Sequence, residues 1–136
     1  MTFDIVNPQA LGVPKGWNNG LLAPRDGRIL FVAGQAGWEE ESTGTPPDFA
    51  GQFAHALDRV LAIIAAAGGA PADLARLTIY VVDLAAYRES RKAIGAAWRE
   101  RLGKHYPAVA LLEVKGLVDR GAVVEMEATA VIGGGR

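Results

Sequence analysis

Cysteine is absent from the sequence. That excludes disulfides, a thiol nucleophile and a thiolate metal site. Only two histidines are present, His55 and His105, far apart, with no HxxxH pair, carboxylate triad or EF-hand loop beside them. A metal centre is therefore not expected. No serine sits in a G-x-S-x-G elbow, so an α/β-hydrolase triad is not expected either. Cationic runs are also missing: 14 Lys and Arg stand against 15 Asp and Glu, for a net charge of −1. That balance gives little of the phosphate neutralisation that drives nucleic-acid binding. The N-terminal residues lack a basic segment followed by a long apolar one, so no signal peptide is expected. The longest apolar run, around Val60 to Ala67, is too short to span a bilayer. The expectation is a cytoplasmic protein with neither membrane nor nucleic acid as partner.

What the sequence does contain reads as globular. Half its residues are hydrophobic and 21% are charged, a composition that can fill a core. The length suits one domain over 1–136. Leu21 to Gln35 reads as a hairpin, because Asp26-Gly27 lies between two apolar runs. Trp38 to Pro47 is polar and holds Gly44, Pro46 and Pro47, which marks a loop. Asp48 is a good helix N-cap. Phe49, Phe53, Leu57, Val60 and Ile64 recur every three or four residues on one face of the helix that follows, and Gly68-Gly69 ends it. Leu77 to Leu84 reads as a strand. Tyr87, Ile94, Trp98 and Leu102 mark one face of a second helix, ended by Gly103. Ala108 to Val114 and Ala122 to Ile132 read as two more strands. The order β-β-α-β-α-β-β predicts an α+β fold with two helices on one face of a sheet. Val81, Leu112, Val124 and Met126 make both faces of several strands apolar, so the uncovered face predicts subunit association. The Gly133-Gly134-Gly135 tail reads as frayed.

Few residues could carry chemistry. His55 sits mid-helix and reads as structural, and His105 follows the second helix, where it can cap last-turn carbonyls. Gly34-Gln35-Ala36-Gly37 follows a strand without opening a helix and lacks a Walker lysine, which makes a weak phosphate cradle. Glu125 and Glu127 lie inside the last strand. Such carboxylates either meet solvent or look into a polar cavity; if buried, Glu125 becomes a candidate general acid or base. Glu113 carries the same ambiguity. Trp98 falls on the apolar stripe and reads as core. Trp17 and Trp38 lie in irregular segments, where an aromatic ring can close over a small-molecule site or fill a subunit contact.

Taken in order, the segments resemble the RidA/YjgF family (reactive intermediate deaminase A). Phe31-Val32-Ala33-Gly34-Gln35 is similar to its V-S-G-Q segment, and Gln52 with the helix ending Ala66-Ala67-Gly68-Gly69 is similar to its Q-x-x-x-A-L…A-G stretch. Leu77 to Leu84 resembles its central strand, and Trp98 to Ala108 its Y-x-x-x-F-G-x-x-x-P-A run. Val123-Val124-Glu125-Met126-Glu127-Ala128 resembles its closing V-E-I-E-A. The resemblance covers nearly the whole chain. It implies a chorismate-mutase-like fold with a mixed sheet, a homotrimer with ligand clefts between subunits, hydrolysis of enamine or imine metabolites to 2-oxo acids and ammonia, and no cofactor. It also implies that Glu125 positions the attacking water, and that Trp17, Ala33, Gly34, Val109 and Leu111 line the substrate pocket.

The departures concentrate at that pocket. The family carries an arginine after Pro-Ala to hold the substrate carboxylate, a task suited to a bidentate guanidinium; here Val109 follows Pro107-Ala108. Ala110 replaces Ser or Thr, Leu111 a small polar residue or Cys, Ala33 a serine, and Trp17 a tyrosine. Arg120 and Lys115 are the substitute cations the sequence offers. The resemblance therefore implies a divergent enzyme with weak or absent 2-iminopropanoate deaminase activity, or alternatively a non-catalytic homotrimer that binds a metabolite. Ribonuclease activity, attached to some relatives of the family, fits poorly with the near-neutral charge.

Overall fold

The computed structural model describes residues 3–133. Two short strands, β1 (Asp4–Val6) and β2 (Gly20–Leu22), pair antiparallel as a separate ribbon around a 3-10 turn at Gln9–Leu11. The main sheet has four strands, β3 (Gly27–Ala36), β4 (Leu74–Val81), β5 (Ala108–Glu113) and β6 (Val124–Gly133), in the order β3-β6-β4-β5. β5 runs parallel to β4 and the other pairings are antiparallel. Helices α1 (Phe49–Ala66), α2 (Leu84–Glu89) and α3 (Arg91–Leu102) complete the α+β fold.

Local signals explain the long helix. The Asp48 carboxylate accepts from the Gly51 amide at 2.9 Å, satisfying one of the orphan donors of the first turn. Phe49, Phe53, Leu57, Val60 and Ile64 are all buried against the face of the sheet that carries Leu77, Ile79, Val81, Val124, Met126 and Ala128. Gly68 follows the helix with φ of 86°, the left-handed turn that glycine tolerates. The 18 residues of α1, with mean hydropathy 1.2, have the length and apolarity of a membrane-crossing helix. Its apolar stripe packs on the sheet, as a core helix requires.

Four expectations need correction. The predicted Leu21 to Gln35 hairpin does not pair with itself: β2 pairs with β1, and β3 with β6. The Pro24-to-Gly27 turn exists, with Gly27 N–H donating to Pro24 O at 3.3 Å, but it passes the chain from one sheet to another. The second helix is two helices broken at Ser90. β4 begins at Leu74 and ends at Val81, because Asp83 leaves the strand to cap α2 by accepting from the amides of Ala85 and Ala86. Last, Val81, Val124 and Met126 all face the helices and are fully buried. The face without helices instead carries Arg76, Thr78, Tyr80, Glu125, Glu127 and Thr129, with exposed Ile29, Phe31 and Leu112 toward its margins. It is mixed in character and not uniformly apolar. Of the glycine tail, Gly134 and Gly135 lie outside the described residues.

Candidate functional site

The first group of residues lies at the β5 edge. Val109 and Leu111 are in register with Leu77 and Ile79 of β4. Those neighbours are buried under the helices, so Val109 and Leu111 point to the helix side. There, α3 and the N-terminal segment enclose a cleft of about 520 Å³ that also takes in Trp17, Trp98 and Tyr106. Trp17 is brought to it by its neighbours. The Asn18 amide donates to Pro107 O at 3.1 Å, and Asn18 Nδ2 donates to Tyr106 O at 2.7 Å. Asn7 Nδ2 donates to Asn18 Oδ1 at 2.9 Å, while Asn7 Oδ1 accepts from the Asn19 amide at 2.7 Å. Trp17 Nε1 in turn donates to Asn19 Oδ1 at 3.1 Å. The N-terminal ribbon is thus sutured to the residues entering β5, and the indole stands beside Val109.

The second group lies at the β3 edge, on the open face. Between Val32 and Gln35 the β3–β6 register shifts, a bulge of the kind that re-aims side chains at sheet edges. Ala33 and Gly34 occupy it. A Cβ on Gly34 would stand 2.6 Å from Oε2 of Glu125, so glycine is required there for the carboxylate to lie against the backbone. Glu125 is half-buried and in register with Tyr80 and Ala36. Buried Gln35 holds the bulge: its Nε2 donates to Ala33 O at 3.0 Å, and its Oε1 accepts from Arg59 Nε at 3.0 Å. Arg59 continues to Glu39 at 2.5 Å, and His55 meets the same carboxylate at 3.2 Å. That hydrogen bond from His55, aided by Arg59, holds the Glu39 carboxyl below its ordinary value. Beside Glu125, the Tyr80 hydroxyl donates to Glu127. This bond, then burial, then the two neighbouring carboxylates push the phenol above its ordinary value.

The residues singled out in the sequence therefore fall into two groups. Trp17, Val109 and Leu111 share one cleft; Ala33, Gly34 and Glu125 share one notch. With the order β3-β6-β4-β5, Ala33 and Gly34 lie on the edge strand β3 and Glu125 on β6, two strand spacings or roughly 10 Å from β5, and on the face opposite Val109 and Leu111. Within one chain Glu125 does not reach the Val109 cleft.

Other assignments sharpen or change. Glu113 is exposed and accepts from the Leu84 amide at 3.0 Å, capping α2. His55 is structural, paired with Glu39. His105 caps the last turn of α3 through its backbone amide, which donates to Leu102 O at 3.1 Å, while its imidazole Nε2 donates to Leu74 O at 2.7 Å. Trp38 packs against Gly121, and Trp98 is core, its indole donating to His105 O at 3.1 Å. Arg120 is solvent-exposed beside Glu40, and neither it nor Lys115 lines the cleft. The cations that do line it are Lys15, Arg91 and Arg99, which the sequence did not single out. The available signal was their spacing: Tyr87, Arg91, Gly95 and Arg99 recur every four residues, the period of one helix stripe. Among the described residues, no group of three or more His, Asp or Glu side chains could hold a metal ion.

Known proteins are similar in sequence and share the fold. The family model described as Endoribonuclease L-PSP matches residues 9–132. The 2-iminobutanoate/2-iminopropanoate deaminase of Escherichia coli K12 is 30% identical over 105 residues, which cover 77% of this chain and 80% of that protein. A RutC family protein of Haemophilus influenzae is 29% identical over the same shares of the two chains. The crystal structure of YyfB from Yersinia pestis, of the conserved Rid protein family, is similar with a TM-score of 0.80 at 28% identity, covering 97% of this chain and 100% of that one. The YjgF structure from Escherichia coli gives 0.63 at 28% identity, covering 92% of each chain. By its family match, its relatives and its fold, this chain belongs to the RidA/YjgF (Endoribonuclease L-PSP) family.

Proposed function

We propose that the chain works as a homotrimer in which the β5-edge cleft of one copy is completed by the Gly34–Glu125 notch of the next, and that the composite site hydrolyses a small enamine- or imine-like metabolite. The observation that carries this reading is the division of the candidate residues. A cleft without a carboxylate stands on one face of the sheet, and a carboxylate without a cleft stands on the other. Closed point-group assembly is the simplest way to bring two such patches together in every copy.

In the composite site Glu125 accepts a hydrogen bond from water and takes its proton as the water oxygen bonds to the C=N carbon. It returns that proton to nitrogen, giving a carbinolamine; it then takes the proton of the carbinolamine hydroxyl and passes it to nitrogen as the C=O bond forms, the C–N bond breaks and ammonia leaves, giving a carbonyl product. Trp17, Val109 and Leu111 shape the apolar wall, and the backbone at Ala33 and Gly34 frames the carboxylate. No cofactor enters this chemistry. The relatives named as 2-iminobutanoate/2-iminopropanoate deaminases support the reaction class. Val109 argues against the same substrate held in the same way. A charge-assisted bond to a carboxylate contributes about 1.5–3 kcal/mol, and valine contributes none.

The test is ammonia release from 2-iminopropanoate generated in situ, run beside the Escherichia coli relative. Turnover at least about tenfold lower is expected from the lost charge-assisted bond; parity would overturn the role given to Val109. Thermal-shift screening of metabolites then identifies a better substrate, on which Glu125→Gln should abolish hydrolysis. A second reading, a metabolite-binding trimer without turnover, is favoured by the apolar lining of the cleft. It would stand if Glu125→Gln leaves binding unchanged and no substrate is consumed.

A further inference from the structure

We infer that Arg99, seated over Gly95, is an anion anchor at a place in this cleft other than position 109, and that the ligand is a carboxylate with a flat apolar body. The inference rests on the reading of the Val109 cleft as the ligand site, and it holds whether the bound ligand is hydrolysed or only held.

Three observations carry it. The first is charge. Three cations, Lys15, Arg91 and Arg99, line the cleft, and among the described residues no acidic side chain does, although the whole chain has a net charge of −1. Arg59, Arg101 and Arg120 each meet a carboxylate. Arg91 and Arg99 form no ion pair with any described residue, and both are exposed at the mouth of the cleft, where an incoming anion meets them. Arg91 instead lies over the Tyr87 ring, 5.6 Å from its centroid, which fixes its direction.

The second observation is Gly95. It sits in the middle of α3 with ordinary helical backbone, where glycine is unfavourable compared with alanine. Its neighbour supplies the reason. A Cβ at position 95 would come within 3.2 Å of Arg99 Nη1 and 3.9 Å of its Cζ. The missing side chain lets the guanidinium fold back along the helix and leaves a bare floor between two cations. Arg91 and Arg99 are eight residues apart, about 12 Å along the helix.

The third is shape and chemistry. Trp17, Tyr87, Trp98 and Tyr106 supply aromatic wall, which favours a planar ligand body. A cleft of about 520 Å³ is of the size that takes drug-sized ligands, far larger than a three-carbon imino acid. A planar guanidinium fits a carboxylate by paired N–H donors, and burying the apolar body against the rings adds the remainder.

The experiment uses phenylacetate as the probe, with phenylacetamide as its uncharged isostere, titrated into the full-length protein and followed by tryptophan fluorescence, since Trp17 and Trp98 both border the cleft. Saturable binding of phenylacetate, with the amide weaker by about tenfold or more, is expected from a charge-assisted contact. Arg99→Ala should weaken phenylacetate to the level of the amide. Lys92→Ala, on the same helix but outside the cleft, should not change it. Gly95→Ala supplies a variant that cannot be dismissed as misfolded: it should raise the melting temperature, as glycine-to-alanine does in a helix, and yet weaken phenylacetate by displacing Arg99. Equal binding of acid and amide, binding by Arg99→Ala equal to the parent, or no binding of phenylacetate at all would each overturn the anchor. None of these outcomes touches the hydrolytic reading, which stands or falls on Glu125→Gln and ammonia release. Loss of turnover in Glu125→Gln with Arg99-dependent phenylacetate binding intact would support both.

Discussion

At Asn18, three hydrogen bonds converge, two of which join the N-terminal ribbon to the residues entering β5. The side chain is half-buried and satisfies Tyr106 O. Asn18→Ala leaves that carbonyl and Asn7 Nδ2 without partners, at a cost of about 1–3 kcal/mol. The larger effect falls on Trp17, which stands next in sequence and is 42% exposed. With the suture cut, its indole is expected to move further into water, shifting tryptophan emission to the red and loosening any ligand held in the cleft. Unchanged emission and unchanged urea stability would show that the ribbon is held elsewhere. Trp17 was legible in the sequence as an aromatic in an irregular segment, a common mark of a binding wall. Asn7, Asn18 and Asn19 were not, because asparagine in a loop reads as turn chemistry and nothing local says that its partner lies 88 residues away. Arg99 was hidden for a related reason. An exposed arginine on an amphipathic helix is ordinary, and only the packing of α3 beside β5 turns it into cleft lining.

Among the elements, α1 was the most legible, since cap, periodicity and terminating glycines all lie within its own segment. Strand pairing was the least. Asp26-Gly27 does make a turn, yet β3 pairs with β6, about a hundred residues away; burial of Val32 over α1 decides the partner, and turn chemistry does not. The break at Ser90 was equally hidden, because Tyr87 and Ile94 keep helical spacing across it. α1 also carries a polar task on its other side. His55 and Arg59 clamp Glu39 on the loop after β3, and Arg59 reaches Gln35 at the bulge. The Glu39 carboxyl is held below its ordinary value of 4.5, first by the hydrogen bond from His55. A depressed carboxyl stabilises the fold above its unfolded value, and that contribution is lost as pH falls through the folded value. Stability of the parent should therefore drop as pH is lowered from about 4.5, and Glu39→Gln should flatten that part of the curve. Urea midpoints from pH 3 to 7 measure it. The side chain is 31% exposed, so the effect should shrink at high salt. Identical pH profiles for parent and variant would remove Glu39 from the account.

For the whole molecule, the sheet order turns the candidate site into a question about assembly. Glu125 and Val109 cannot meet in one chain, because Glu125 is on β6, β4 lies between β6 and the β5 edge, and the two side chains point to opposite faces. The sequence singled out Glu125 and Val109 but not the faces and strands that separate them, since order along the chain carries no information about where in the sheet a strand sits. Subunit complementation tests the division directly. Val109→Arg restores the cation that the family places after Pro-Ala, and should raise 2-iminopropanoate deamination by about tenfold or more. The double variant Val109→Arg/Glu125→Gln should be inactive for want of the carboxylate, and the parent chain is weak for want of the arginine. Co-expressed one to one and purified as mixed oligomers, they should regain activity. If each site takes the introduced guanidinium from one copy and Glu125 from its neighbour, random assembly gives both groups to about a quarter of sites, and activity should approach a quarter of that of the Val109→Arg trimer. A mixture no more active than its parent component would mean that the two halves are never joined between copies. Glu125 would then have to serve the open face alone, beside Tyr80 and Glu127, and the cleft at β5 would be a binding site without a base.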